Sequence, residues 1–398
     1  MAPETVATAA AAAARIRTRV PAAASVSDTV RRIVAAVREL GDEAVLEHEA
    51  RFGGGGPLAV GPDELHAALD GLEPPVRAGL QRAVANVRTV ADAGRDAEAE
   101  VTLPEGHTVR LREVPVKRAA VYAPGGRHPY PSSVVMGAVT ARAAGVEQVV
   151  LAAPAHPVIL AAAALCEVDA VFRMGGAQAI AALAYGTETV PAVDVIVGPG
   201  NLYVQEAKRQ VSGTVGIDGF AGPSDLTVIA SQGADPGPLA LDLRAQAEHG
   251  EGSLTVAVSD DGALLAELGG EPVLVEDMEA ALAFAEALAP EHLQLAGAQA
   301  EALAPRVRSA GCLFVGQHSG TAFGDYVAGS NHTLPTEGAA RFASGLSVRH
   351  FRRRMAEVRI PPTAAAQLAA AGVPIARAEG FEAHARSMEA RIRDNRRP

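Results

Sequence analysis

AAVYAPGGRHPYPSSVVMGAVTARAAGVEQVVLA, residues Ala119–Ala152, holds two short apolar runs separated by a segment of helical texture. The runs, Ala119–Tyr122 and Gln148–Ala152, have the length and composition of strands. The same alternation continues through Ala170–Arg173 and Val193–Val197, with helical segments of roughly ten to fifteen residues between them. It predicts parallel βαβ units with right-handed crossovers. A second series follows, with strands expected at Leu226–Ala230, Leu254–Val258, Pro272–Val275, Leu293–Leu295 and Cys312–Val315. Two α/β domains are therefore expected, with a boundary near Gly222-Pro223.

Upstream, residues 1–24 read as a weakly amphipathic helical arm. Ser27 is expected to cap a helix whose stripe is Val30, Ile33, Val34, Val37 and Leu40, with Gly41 ending it. Gly53–Gly56 marks a turn or short linker. A further helix is expected over Pro75–Ala93, with Leu80, Val84, Val87 and Val90 on one face. Downstream, helical texture returns around Met355–Ile360 and Thr363–Ala371, before a very basic tail. The run Arg352-Arg353-Arg354 reads as a solvated helix face. No repeat occurs at solenoid spacing.

The chain has 398 residues, 48% apolar and 20% charged, which is the balance of a globular protein large enough for at least two domains. It has no Trp and few aromatics, so its cores are built from Ala, Val and Leu. A net charge of −11 argues against a nucleic-acid partner, which calls for a basic face. The two cysteines, Cys166 and Cys312, sit in apolar runs and read as buried free thiols of a reducing compartment. Two are too few for a Cys-based metal site. The charge order at the N-terminus is wrong for a secretory signal, and no uncharged run is long enough to span a bilayer. The expected location is the cytoplasm.

Several residues could carry chemistry. Gln246 and His249 stand three apart on a segment that reads as a helix ended by Gly250, so both side chains share a face. They suit a metal such as zinc, although a histidine there equally suits the helix dipole. Asp325 lies in a glycine-rich polar loop and His384 in the terminal helical region; each also has an ordinary reading, as a turn cap and a surface histidine. Glu291-His292 offers a carboxylate beside an imidazole, the side chain suited to removing an alcohol proton near neutral pH. It also reads as a plain helix-exit dipeptide. Gly175-Gly176 and Gly198-Pro199-Gly200-Asn201 follow strands and allow close backbone approach to a ligand, but no strand leads into G-x-G-x-x-G.

Read together, nine stretches resemble the histidinol dehydrogenase family. They are VYAPGGRHPYPSS, GGAQAIAALAYGTETVP, VGPGNLYVQEAKRQV, FAGPSDLTVIA, AQAEHG, LAPEHLQL, GDYVAGSNHTLPT, RFASGLSV and EGFEAHARS, in order from about residue 115 to 390. The N-terminal quarter resembles the family only in helical texture. The resemblance implies oxidation of L-histidinol through L-histidinal to L-histidine with two NAD+. It implies Zn2+ held by Gln246, His249, Asp325 and His384, and Glu291 and His292 as the acid–base pair. It implies NAD contacts from Tyr122, Gln178 and Asn201. Substrate contacts would come from Ser224, His292, His332 and Glu379, together with the metal ligands.

The fold it implies is α/β, with two incomplete Rossmann-like parallel-sheet domains and helical arms, in an intertwined homodimer. Residues 1–24 would form the arm, 25–118 with 225–346 one domain, and 119–224 the NAD-contacting domain. Residues 347–398 would be a tail that reaches the partner's site. Two positions depart from the family pattern. Thr321 stands where a Glu is common, and Gly-Pro-Ser-Glu reads Gly222-Pro223-Ser224-Asp225. Two alternatives stay open: a related dehydrogenase of another polar alcohol, such as sulfopropanediol, and a zinc-stabilised α/β binding protein without turnover.

Overall fold

The structure is a computed structural model describing residues 3–19, 26–52, 54–125, 128–220, 222–250 and 252–393. Residues 20–24 of the expected arm, Gly53 of the expected turn and residues 394–398 of the basic tail lie outside it.

Among the described residues thirteen strands follow one another. They are β1 (Ala99–Thr102), β2 (Thr108–Pro115), β3 (Arg118–Tyr122), β4 (Gln148–Ala153), β5 (Ala170–Arg173), β6 (Val195–Val197), β7 (Gly216–Ile217), β8 (Asp225–Ala230), β9 (Leu254–Ser259), β10 (Glu271–Leu274), β11 (His292–Ala296), β12 (Cys312–Val315) and β13 (Arg352–Arg359). They fold into two units, residues 1–94 with 116–351, and residues 95–115 with 352–398.

The first unit holds two parallel five-stranded sheets, ordered β5-β4-β3-β6-β7 and β10-β9-β8-β11-β12. Each chain path starts at a central strand, steps to one edge, then returns to build the other side. Both faces of each sheet are covered, as the near-continuous apolar runs require. On the first sheet Ala119, Val121, Leu151 and Ala153 point into one core. Their neighbours Ala120, Tyr122, Val150 and Ala152 point into the other, the two-residue alternation of a strand. The second sheet divides likewise, with Ile229, Val258, Leu293 and Leu295 on one face and Leu226, Val228 and Ala257 on the other.

Small residues let helices settle closely on these sheets. The helix Pro131–Ala144 is buried along nearly its whole length, and a Cβ on Gly137 would stand 2.7 Å from both Val121 methyls.

Three expectations change. The helices Ser27–Leu40 and Pro74–Ala93 pack on the first sheet, where association with the second was expected. Val30, Val34 and Val37 of the helix Ser27–Leu40 join one face of the first sheet, and Leu80, Ala83 and Val87 of the helix Pro74–Ala93 join the other. An apolar stripe shows that a helix is buried but not against what. The N-terminal helix Val6–Arg17 is likewise no free arm, since Ala9, Ala12, Ala13 and Ile16 pack into the second sheet's core. Ser27 is the first residue of its helix and Val26 the cap.

The second unit holds the largest correction. Arg352–Arg359 is a strand, not a helix, and pairs antiparallel with β2 from Arg352↔Pro115 to Arg359↔Thr108. Arg354 faces Glu113 across the ladder and donates to its carboxylate at 2.5 Å. Such cross-strand pairing is invisible to local periodicity. With β1 it makes a three-stranded sheet. Helices Pro362–Ala378 and Glu382–Arg393 follow, packed together through Val373, Ala376 and Ala385.

Candidate active site

Strand ends from both sheets of the first unit surround a cleft of about 2280 Å³. Ordinary ligand pockets measure roughly 300–1,000 Å³, so this space suits a dinucleotide together with a substrate. The first sheet contributes its C-terminal edge: Tyr122 after β3, Pro154 after β4, Gly175 and Gly176 after β5, Gly198–Tyr203 after β6, and Asp218 after β7. The second sheet contributes its N-terminal edge: Ser224 before β8, Ser253 before β9, and Glu291 and His292 where β11 begins.

The hydrogen-bond logic at the second edge is unusually determinate. His292 is buried, and its Nδ1 lies 3.1 Å from the carbonyl oxygen of Asp225. A carbonyl only accepts, so Nδ1 carries the hydrogen and Nε2 keeps a lone pair in the neutral ring. That Nε2 stands 3.8 Å from Asp325 Oδ1. The Glu291 carboxylate is also 3.8 Å from His292 Nδ1, too far for a hydrogen bond. The backbone of Asp225 therefore orients the imidazole, where the dipeptide alone had offered Glu291 for that task.

Glu291 is instead the acceptor of a relay. Ser224 Oγ donates to its Oε2 at 2.5 Å, the Asp225 amide donates to the same oxygen at 3.1 Å, and Gln246 Nε2 donates to Ser224 Oγ at 2.7 Å. Burial pushes the Glu291 carboxyl up to about 7, with Asp225 adding to the rise and His292, Ser224 and the Asp225 amide opposing it. The Asp225 carboxylate is held by Arg17 at 2.6 Å and by the Glu291 amide at 2.8 Å.

His332 completes the cluster. Its Nδ1 donates to the carbonyl oxygen of Asp325 at 3.0 Å, leaving Nε2 to face Ser133 Oγ at 3.3 Å. Burial holds this imidazole below its ordinary value, against the pull of Asp325. The sequence reading did not single out Ser133. Its one signal is membership in the PYPSS stretch, where Pro131 opens a helix at the cleft.

At the first sheet's edge, Tyr122, Gln178 and Asn201 all line the cleft. Tyr122 Oη accepts from the Gly176 amide at 3.1 Å, and Gln178 Nε2 donates to Glu49 at 2.9 Å. Glu49 was missed because it lies on the helix Asp42–Arg51, far away in sequence. Asn201 Oδ1 accepts from the Tyr203 and Val204 amides and so caps the helix Leu202–Val211. Gly198 has φ +119°, and a Cβ there would lie 2.0 Å from the Tyr122 carbonyl oxygen. Lys208, itself buried, bonds Gly198 O at 2.5 Å and Asp218 at 2.6 Å, which locks this loop.

The expected metal donors divide between the units. Gln246, His249 and Asp325 belong to the first. Gln246 is buried on the helix Pro236–Ala247, and His249 is exposed just beyond it at the cleft. Glu379 and His384 belong to the second unit, where both are exposed and the His384 ring lies 5.2 Å from that of Phe381, tilted by 55°. Among the described residues no three His, Cys, Asp or Glu converge to hold an ion.

The donor chemistry of the first unit nonetheless fits zinc. Ser224 gives its hydrogen to Glu291, so it must accept from Gln246, and this turns the Gln246 amide to present Oε1 as a lone-pair donor. An amide oxygen, an imidazole and a carboxylate are the number of protein ligands that a catalytic zinc site takes when it keeps a position open for water or substrate. Thr321, at the position that departs from the family pattern, is buried as the first residue of the helix Thr321–Tyr326.

The family model described as histidinol dehydrogenase matches residues 17–272 and 265–392. The chain is 42% identical to a histidinol dehydrogenase of Rhizobium meliloti, over 96% of this chain and 95% of that one. It is 41% identical to one of Pseudomonas savastanoi pv. phaseolicola, over 93% and 90%. Among solved structures it is similar to histidinol dehydrogenase from Elizabethkingia anophelis, with a TM-score of 0.90 and 29% identity over 95% of this chain and 94% of that one. No helix of the described residues is long and apolar enough to cross a membrane.

Proposed function

Because this chain belongs to the histidinol dehydrogenase family, we propose that it oxidises L-histidinol to L-histidine in the cytoplasm with two NAD+, the closing steps of histidine biosynthesis. The observation that carries the reading is His292. It is a buried imidazole whose Nδ1 hydrogen is committed to a carbonyl and whose Nε2 lone pair opens on a cleft large enough for dinucleotide and substrate.

The chemistry asked of the chain is proton transfer and positioning. His292 Nε2 takes the hydroxyl proton as hydride leaves the carbinol carbon for NAD+, giving the aldehyde. Water adds to the aldehyde, with Glu291 holding or releasing a proton through Ser224. His292, having released the first proton to solvent, then takes a second hydroxyl proton as a second hydride leaves for a second NAD+. Glu291 suits that task because its carboxyl, raised to about 7, exchanges a proton near neutral pH. His332, whose imidazole burial holds below its ordinary value, is assigned to the substrate together with Ser224 and Glu379.

Gln246, His249, Asp325 and His384 would hold zinc. When bound, zinc supplies a template that fixes the substrate's nitrogen donors. The protein is taken to be a homodimer in which the partner supplies His384 and Glu379. Tyr122, Gln178 and Asn201 are assigned to NAD+. The order β5-β4-β3-β6-β7 supports a Rossmann-like cofactor lobe, since dinucleotides bind where strand order reverses at the C-terminal edge.

The test counts NADH formed per histidinol consumed, with and without chelator. Two per substrate, lost on chelation, is the expected result. No NADH from bound histidinol sinks the reading, and turnover of only another polar alcohol reassigns the substrate.

A further inference from the structure

Gln294 lies two residues beyond His292 on β11, so both side chains leave the same face of the strand. It is completely buried. Its Nε2 donates to Asp242 Oδ2 at 2.8 Å and approaches the carbonyl oxygen of Ser319 at 3.4 Å. Its Oε1 is buried with no hydrogen-bond partner among the described residues. A buried amide satisfied on its donor side alone is costly, and a leucine would fill the space without that cost. What the amide keeps is the pair of N–H bonds.

Those bonds reach two further elements that carry candidate site residues. Asp242 stands four residues before Gln246 on the helix Pro236–Ala247, one turn behind it on the same face. Ser319 precedes the helix Thr321–Tyr326, which carries Asp325. Asp242 also abuts Gly320, where an added Cβ would meet its Oδ1 at 3.0 Å. One buried amide thus ties together the strand of His292, the helix of Gln246 and the lead-in to Asp325, through hydrogen bonds to Asp242 and the Ser319 carbonyl and not to those three side chains.

We propose that Gln294 and Asp242 are positioning residues, a strut that sets the spacing of Gln246, His292 and Asp325 for metal binding and turnover. The proposal rests on the zinc-linked function given above. Outer partners of this kind typically change metal affinity or activity by about 10–100-fold.

The experiment measures zinc affinity of the full-length protein by competition with a chromophoric chelator, alongside kcat, KM and melting temperature. Gln294→Ala and Asp242→Ala should each weaken zinc about 10–100-fold and lower kcat. Asp242→Asn, which keeps an acceptor for Gln294, should restore both to within a few-fold of the parent. Leu295→Ala removes core packing from the opposite face of the same strand, so it should lower the melting temperature with zinc affinity unchanged.

Should Gln294→Ala fail to fold, the comparison of Asp242→Ala with Asp242→Asn decides alone. The proposal is overturned if the alanine variants melt earlier yet keep parental zinc affinity, or if Leu295→Ala weakens zinc as much as they do. Absence of zinc binding by the unaltered chain would instead bring down the functional reading, and this inference with it.

Discussion

The carbonyl oxygen of Asp225 accepts the Nδ1 hydrogen of His292 at 3.1 Å, while the carboxylate of the same aspartate is clamped by Arg17 at 2.6 Å. One residue at the start of β8 therefore fixes the tautomer of the imidazole with its backbone. With its side chain it anchors the N-terminal helix beneath the site.

With Nε2 the only free base on that ring, His292→Ala should reduce kcat by about 10²–10⁴-fold. The protein should retain its zinc, measured by metal analysis after dialysis. Loss of zinc along with activity would make His292 a ligand instead of the base.

Burial raises the Glu291 carboxyl from its ordinary value to about 7. Between about pH 4.5 and 7 the folded protein then holds a proton that the unfolded chain has released, so this group's contribution to stability falls as pH rises through that window. A tenfold change in proton affinity is worth about 1.4 kcal/mol, so the effect is on the order of 1–3 kcal/mol. Urea midpoints at pH 5 and 8 should drop for the parent and drop less for Glu291→Gln. Equal drops in the two proteins would contradict the raised value.

Arg17→Ala leaves the Asp225 carboxylate buried with only the Glu291 amide as partner. Removing one member of a buried pair costs several kcal/mol, here about 3 kcal/mol. Chemical denaturation should show that loss. A change under about 0.5 kcal/mol, the size ordinary for a surface substitution, would mean that the pair is solvated.

Gly198→Ala forces a Cβ toward the Tyr122 carbonyl at a φ of +119°. Relieving the clash must move the loop Gly198–Asn201, at a cost of about 1–3 kcal/mol. KM for NAD+ should rise tenfold or more, with KM for histidinol little changed. The opposite split would place the cofactor elsewhere in the cleft.

Local texture was enough to find nine of the ten strands of the two sheets to within a residue or two, because a strand buried on both faces announces itself as a continuous apolar run; the two-residue β7, Gly216–Ile217, is too short to do so and was missed. Arg352–Arg359 was not legible, since the strand it pairs with, β2, lies far away in sequence, 241 residues for Arg354 and Glu113. Glu291-His292 stood out as a pair, but its division of labour did not. Asp225, which orients the ring, is 67 residues from it along the chain.

The order of residues alone determined the two α/β series, the family and the candidate site side chains, because each depends on short segments whose chemistry is local. Only the folded chain decided which sheet the early helices cover, which nitrogen of His292 is free and which way the Gln246 amide turns. Those outcomes depend on hydrogen bonds and packing between segments distant in sequence, and a bond of that kind exists only once the backbone has brought its donor and acceptor together.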